Sequence, residues 1–437
     1  MVRAQHDGQD GLALASGVST LPDPVDAGAQ AAGMIHESLA GSTDLVVGFV
    51  TPAFSQRVGM IADAIRDQLS PKHLLLVSAS SIMGDDNEMG PGPGLSLLGF
   101  SLPGVTMHPY MLDATWGTMD PADRASKITQ TIGATETMAC SLLFADPYSV
   151  PMVNLVPALS ASRVEYTDAH KNHKRIGTIL GGLCSGADEP GYNTLYLDGT
   201  LRSHGAMGIT LSGNLQVDTL VSQGCRPIGE PMVVTHAKGN LILELGGQPA
   251  IDAIRDMLVD LGHHDKEMLT DGLLIGRVIN EHKSRFGRGD FLIRDILGGD
   301  EDSGALAIAD LVHTGQTIQP HIHDAQTARE DLALLLDAQR LYNRPAGAML
   351  ISCTGRTSDF FQEANHDGRA IRHAFDPPIE GPRLAKAGKE LNAPDMGIPL
   401  SGFFAEGQIG PVGDTIFQHS HTAVAALFRE PEQIDLV

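Results

Sequence analysis

The chain has 437 residues, 42% of them apolar, with 30 Lys and Arg against 53 Asp and Glu and a formal net charge of −23. That length allows two or three domains with ample cores. Such acidity repels phosphate backbones and offers no polybasic cluster to an anionic bilayer, so neither nucleic acid nor a membrane is an expected partner.

Cys140, Cys184, Cys225 and Cys353 are far apart and form no CxxC. That pattern fits buried thiols in a reduced compartment, not a zinc knuckle or a redox pair. The amino-terminal stretch MVRAQHDGQDGLALASGVST carries charges and glycines where a secretory leader needs an unbroken apolar core. No stretch approaches the roughly 20 apolar residues of a membrane span. A soluble, cytoplasmic protein is expected.

Leu12 to Val18 predicts a first strand. A helix follows over Val25 to Leu39, with Asp23 as its N-cap and Pro24 at its first position. Asp44 to Val50 reads as a buried strand. Val58, Ile61, Ala62, Ile65 and Leu69 recur at helical spacing. Leu74 to Val77 is the next strand, and Leu95 to Leu102 another. Between them Ser78 to Gly94 reads as a glycine- and proline-rich loop, a lid or a partner surface. Ala139 to Phe144, Thr194 to Leu197, Ala206 to Leu211 and Val217 to Val221 read as strands, and Met152 to Leu159 as a helix.

The texture changes near Gln223 to Pro231. Met232 to Leu245 predicts a hairpin about Lys238-Gly239-Asn240, and Pro249 to Leu261 an amphipathic helix. Leu273 to Ile279, Phe291 to Ile296, Ala305 to Ile308 and Gln316 to His323 read as strands, with a helix over Asp324 to Arg340. Met349 to Cys353 is a buried strand, Asn365 to Gly368 a polar turn, and Ser401 to Ala405 a strand. Alternating strands and helices of this kind imply an α/β fold, two domains with mixed β-sheets flanked by helices, divided as 11–225 and 226–430.

Three segments echo one another: LLLVSASSIMG…GLSLLGF, GGLCSGADEPGYNTLYL and SGFFAEGQIGPVGDTIF. Each is a strand, a small-residue turn, a loop and a strand. Either glycine turns between strands are simply common, or a sheet unit is duplicated with its polar loops gathered on one edge.

Strand ends of α/β domains are where ligand sites form. Here they deliver Cys353, Arg356, Asn365, His366, Asp367 and Glu406, with turns at Gly407, Gly410 and Gly413. Arg356 suits a ligand carboxylate, held in its fork, or an internal pair with Asp367 or Glu406. Glu406 or Asp367 suits an ammonium group, so a zwitterion fits the set. Arg226 has the same two readings. Cys353 with His366 and Asp367 suggests a thiol hydrolase, against an inert buried thiol. His321 with His323, and His419 with His421, share strand faces and suggest a metal, but no third-ligand pattern such as HExxH accompanies them, so no metal site is assigned. No phosphate loop, nucleophile elbow or dinucleotide fingerprint occurs, and no cofactor is implied.

These segments also carry a resemblance. DLVVGFVTP, GPGLSLLGFSLPGV, LLFADPYS and GGLCSG resemble the amino-terminal half of the FIST domain. GCRPIGEPMVVTHAKGNLILELGGQPA, FGRGDFLIRDILGGDEDSGALAIAD, ISCTGR, NHDG and GFFAEGQIGPVG resemble its carboxy-terminal half. The resemblance covers about Leu12 to Phe428. It implies a sensory module that binds a small ligand, with amino acids proposed, and passes a signal to a protein partner. The length leaves room for neither a kinase nor an F-box. Two features depart from the family: the first turn reads SASSIMG without the usual cysteine, and Ile379 to Asn392 looks inserted. The expectation is a cytoplasmic small-ligand sensor. The competing classes are an interaction scaffold and a Cys/His hydrolase.

Overall fold

The computed structural model describes residues 11–431, apart from 40, 114, 117–118, 169–170, 172, 270–271 and 378–396. The apparent insertion at Ile379 to Asn392 thus lies outside the described residues.

Apolar strands that pair in parallel must be covered on both faces. Three such pairs organise the chain: Leu45–Val50 with His73–Ser78, Met138–Ala145 with Thr178–Leu183, and Gly347–Cys353 with Leu400–Ala405. Each pair is extended the same way. An antiparallel strand joins the first member: Leu95–Ser101, Ala206–Gly213 and Thr422–Arg429 respectively. An outer antiparallel strand then completes that side: Ala13–Ser19, Val105–Leu112 and Gln216–Gln223. The mixed α/β class expected from sequence is present, and the echo is a real repeat. It occurs three times.

The far edge of each sheet is completed by a hairpin borrowed from another repeat. Ile82–Gly84 and Asn87–Met89 leave the first repeat and pair with Leu400–Ala405 of the third. Leu195–Leu197 and Thr200–Arg202 leave the second and pair with His73–Ser78 of the first. Gln408–Val412 and Thr415–His419 leave the third and pair with Thr178–Leu183 of the second. The exchange closes a cycle and shields the sheet edges that would otherwise be open. Ser78 to Gly94 is therefore not a lid. Half of it is sheet, anchored by Asp86, which bonds Arg372 at 2.6 Å and His373 at 2.9 Å.

The inner faces of the three sheets share one core. At its centre Phe49 stacks on Phe403 at 4.7 Å, and Phe144 meets each ring at 5.8 Å. Helices cover the outer faces: Pro24–Ser38 and Val58–Leu69 on the first, Pro121–Ile132 and Met152–Ser162 on the second, Ala325–Gln339 and His366–His373 on the third. Asp23 caps the first of these as expected, accepting from Val25 and Asp26. The strand Val105–Leu112 and helix Pro121–Ile132 were not legible in the sequence.

Between the first strand and first helix of the third repeat lies a second body. Strands Met232–Lys238, Leu241–Leu245, Ala305–Ile308, Phe291–Asp300, Leu273–Val278 and Thr317–His323 pair in that spatial order, and the last pairs again with the first. This closed antiparallel barrel has its own core of Val234, Ile242, Leu245, Ile275, Ile308 and Ile318. The strands on either side of residue 225 are thus interleaved in space, because the third repeat begins at Gln216 and resumes at Ala325.

Candidate functional site

Arg356 follows the strand Gly347–Cys353 in a tight turn, its N–H bonded to the Cys353 carbonyl at 2.9 Å. Asn365 is not part of a simple polar turn. It adopts left-handed backbone (φ +62) and starts the helix His366–His373. That helix aims Asp367 back at the strand end. Arg356 Nε and Nη2 donate to the two Asp367 oxygens at 2.8 and 3.0 Å. The pair is nearly sealed, with side-chain exposures of 2% and 3%. His366 Nδ1 lies 3.0 Å from Asp367 Oδ1, and its ring stacks on Phe361 at 4.1 Å. Burial alone would raise the Asp367 carboxyl, but Arg356 and His366 hold it down at about 2.

Of the two readings open to Arg356, a ligand carboxylate or an internal pair, the fork takes the second, with Asp367. Arg356, His366 and Asp367 do come together, as an internal network. Asn365 joins its rim, accepting from the Glu88 N–H at 2.7 Å. Glu406 stands apart and exposed, its N–H bonded to the Leu183 carbonyl. Gly407 contacts Leu183 and Gln418; Gly410 and Gly413 belong to the borrowed hairpin in the second sheet. None of the three glycines walls the Arg356 network. Arg226 also pairs internally, with Asp265 at 2.7 Å and Asp324 at 2.9 Å.

Glu88 sits beside the same network. Burial first, and then the charge of Asp367, raise its carboxyl to about 7. A carboxyl raised in the folded state binds more protons there, so stability falls as pH rises from the ordinary carboxylate range through about 7. Glu88→Gln is expected to raise stability at pH 8 by about 1 kcal/mol after allowance for solvent screening, with no gain at pH 4. Urea unfolding at the two pH values checks it; an equal effect at both would show that the Glu88 carboxyl titrates alike in the folded and unfolded chain.

The histidine pairs do not assemble as metal ligands. His321 is buried, bonded to the Gln319 carbonyl at 2.9 Å, and burial lowers it to about 4. His419 is likewise buried against the Gly410 carbonyl at 3.1 Å and lowered to about 4. Among the described residues no group of three or more His, Cys, Asp or Glu could hold a metal ion. The outer members do meet: the His323 and His421 rings lie 4.4 Å apart. Cys353 lies against His421 rather than pairing with His366.

The three small-residue turns converge. The Ser80 N–H donates to Ser185 Oγ at 2.8 Å, Ser185 Oγ donates to the Phe404 carbonyl, and the Phe404 N–H donates to the Ser81 carbonyl at 3.0 Å. Beside this junction a cavity of about 380 Å³ opens between Pro52, Ser55 and Gln56 on one wall and Gly186, Ala187, Asp188, Glu189 and Tyr192 on the other. Gly186 has φ +89, and a Cβ there would lie 2.9 Å from the Ser80 nitrogen, so the wall depends on glycine. The sequence signalled this turn through its glycines but gave no hint that Gln56 faces it. A second cavity, about 250 Å³, lies between the helices Ala325–Gln339 and His366–His373, with Arg329, Leu336, Arg340 and His366 on its wall.

The FIST N domain family matches residues 44–248, and the FIST C domain family matches residues 250–411. The chain belongs to the FIST family. FIST domains are sensory domains of signal transduction. The two matches overlap all three repeats and cover the barrel, leaving Ala13–Ser19, Pro24–Ser38, Thr415–His419 and Thr422–Arg429 outside them. The uncharacterized Mycobacterium tuberculosis protein Rv0628c is 33% identical over 422 residues, covering 95% of this chain and 100% of its own. The uncharacterized Mycobacterium bovis protein Mb0898c is 32% identical over 424 residues, covering 95% and 99%. Among solved structures, a cyanuric acid hydrolase from A. caulinodans aligns over 96% of this chain and 99% of its own at 11% identity, with a TM-score of 0.30. No helix among the described residues is long and apolar enough to cross a membrane.

Proposed function

We propose that this FIST protein senses a small amine-bearing metabolite, an amino acid being the simplest example, in the cavity beside the second glycine turn. One observation carries the reading. The cavity is of metabolite size, sits at the ends of parallel strands, and is lined by Asp188 and Glu189, whose carboxylates meet no cation among the described residues. Two uncompensated carboxylates favour a positively charged group. Tyr192, which is 59% exposed, adds an aromatic face that attracts the same charge. The Gln56 amide supplies donors for a carboxylate. The site joins two repeats, so a ligand bridging Gln56 and Asp188 biases how the first and second sheets meet, which is what a sensor passing a signal to a protein partner needs.

Thermal unfolding in the presence of an amino-acid panel tests this. A true ligand at a hundred times its dissociation constant adds about 2.7 kcal/mol of stability. The gain is expected to disappear in Asp188→Asn/Glu189→Gln. No shift across a broad amine panel, or a shift that survives the double substitution, would remove the assignment. A captured protein partner with no ligand response would favour the scaffold class.

A further inference from the structure

The seam between the barrel and the third sheet holds groups that the sensing cavity does not use. Cys353 ends the strand Gly347–Cys353 and is 7% exposed. Its sulfur accepts from the Gly355 N–H at 3.5 Å. His421 occupies the turn before the strand Thr422–Arg429 in left-handed backbone (φ +55), a conformation few non-glycine residues adopt. The turn is held by the Gly224 N–H, which donates to the His421 carbonyl at 3.0 Å. His421 Nε2 lies 2.8 Å from Asp295 Oδ1, on the barrel strand Phe291–Asp300. His421 Nδ1, on the other side of the ring, is buried and completes no hydrogen bond. The Cys353 thiol acts electrostatically on the same ring.

A second orphan points to the same place. Arg356 spends Nε and Nη2 on Asp367, while its Nη1 is buried without a partner. A Cβ built on Gly224 would lie 2.8 Å from that nitrogen and 3.1 Å from the His421 carbonyl, so the free N–H abuts the His421 turn. A buried donor without a partner is costly, and one beside a nucleophile is an anion or oxygen cradle.

We propose that Cys353, His421 and Asp295 form a peroxide-reactive thiolate site at this seam. Asp295 orients the imidazole and stabilises its protonated form, and the imidazolium stabilises the thiolate. The thiolate attacks one oxygen of a hydroperoxide. The S–O bond forms as the O–O bond breaks, the sulfur is oxidised to the sulfenic acid, and the peroxide is reduced. The departing oxygen takes its proton from His421 and leaves as water or an alcohol. The free Arg356 N–H bonds the peroxide oxygens. Cys353 is only 7% exposed, which favours an oxidant as small as hydrogen peroxide over an acyl substrate. This chemistry is independent of the amine-sensing assignment.

Charges around the site agree. Burial opposes ionisation of Cys353, but His421 outweighs it and the thiol falls below its ordinary value. Burial opposes protonation of His421, but Asp295 and Cys353 raise it to about 9. Asp295 and the His323 ring lie against His421, and Arg356, Cys353, Asp295 and Asp324 all act on the neighbouring Cys225. Burial raises the other three thiols, Cys140 to about 12 and Cys184 and Cys225 further. One cysteine of the four is thus set apart.

The test uses the full chain, native, with hydrogen peroxide and dimedone as a sulfenic-acid trap, read by peptide mass spectrometry. Cys353 is expected to label at least about tenfold faster than Cys140, Cys184 or Cys225. Its alkylation by iodoacetamide should show a midpoint below the ordinary thiol value of about 8.5. Asp295 is 49% exposed, so Asp295→Asn is expected to keep the fold while moving that midpoint upward and slowing sulfenic-acid formation. Cys353→Ser abolishes the fast label. Equal labelling of all four cysteines overturns the proposal, and so does an unmoved midpoint in Asp295→Asn.

Discussion

Asp367→Asn is expected to lower the stability of the chain by about 3–5 kcal/mol, because it leaves the Arg356 guanidinium charged and sealed without its counter-ion. Both partners are almost fully buried, and the guanidinium uses two of its N–H groups on the carboxylate. The folded value of about 2 lies below the ordinary Asp value near 3.9, so the contribution is present above that range and is lost as pH falls through about 2. The deficit of Asp367→Asn should therefore shrink in acid. Urea unfolding from pH 7 to pH 3 measures it. A deficit under about 1 kcal/mol at pH 7 would show that water reaches the pair and screens it.

Phe403→Ala should cost a similar amount, about 3–5 kcal/mol, through lost transfer energy and the cavity left behind. Phe403 stacks on Phe49 and meets Phe144, so one ring joins the inner faces of three sheets. Backbone cannot collapse into the gap, since strands on three sides are held by their own ladders. Leu341, 86% exposed, is the contrast: Leu341→Ala is expected within about 0.5 kcal/mol of the parent. Equal, small effects from both would mean that the three sheets do not share a packed centre.

Much of the fold was legible because local patterns and tertiary packing agree. The buried strand Leu45–Val50, the capped helix Pro24–Ser38 and the helix Ala325–Gln339 all lie close to where periodicity and capping residues put them. The segment 82–89 was not legible. Its strands have three residues each, carry Asp85, Asp86 and Glu88, and are strands only because Leu400–Ala405 offers an edge. The helix Pro121–Ile132 was missed within a polar, charged stretch; its apolar face is narrow, and Ile128 and Ile132 carry much of its burial. The barrel read as separate strands, since nothing local says that Leu273–Val278 pairs with two partners.

The candidate site divides in the same way. Residue types and their strand-end positions singled out Cys353, Arg356, His366 and Asp367 from sequence, while His421 was noted only as half of a histidine pair. Which of them touch was set by helix register and by a barrel strand far away in the chain. Asp367 reaches Arg356 because the helix His366–His373 starts one residue earlier, and Asp295 reaches His421 across the seam between two bodies.

By itself the sequence determined the class of the fold and the family, its net acidity, and an echo of strand–turn–strand segments open to two readings. These depend on periodicity, composition and short motifs, which are local properties. Tertiary structure alone decided that the echo is a repeat whose hairpins are exchanged, that Arg356 takes the internal pair with Asp367, and that His421 of the third sheet meets Asp295 of the barrel. Those outcomes depend on which distant edges pair, and hydrogen-bond geometry between remote strands leaves no periodic trace along the chain.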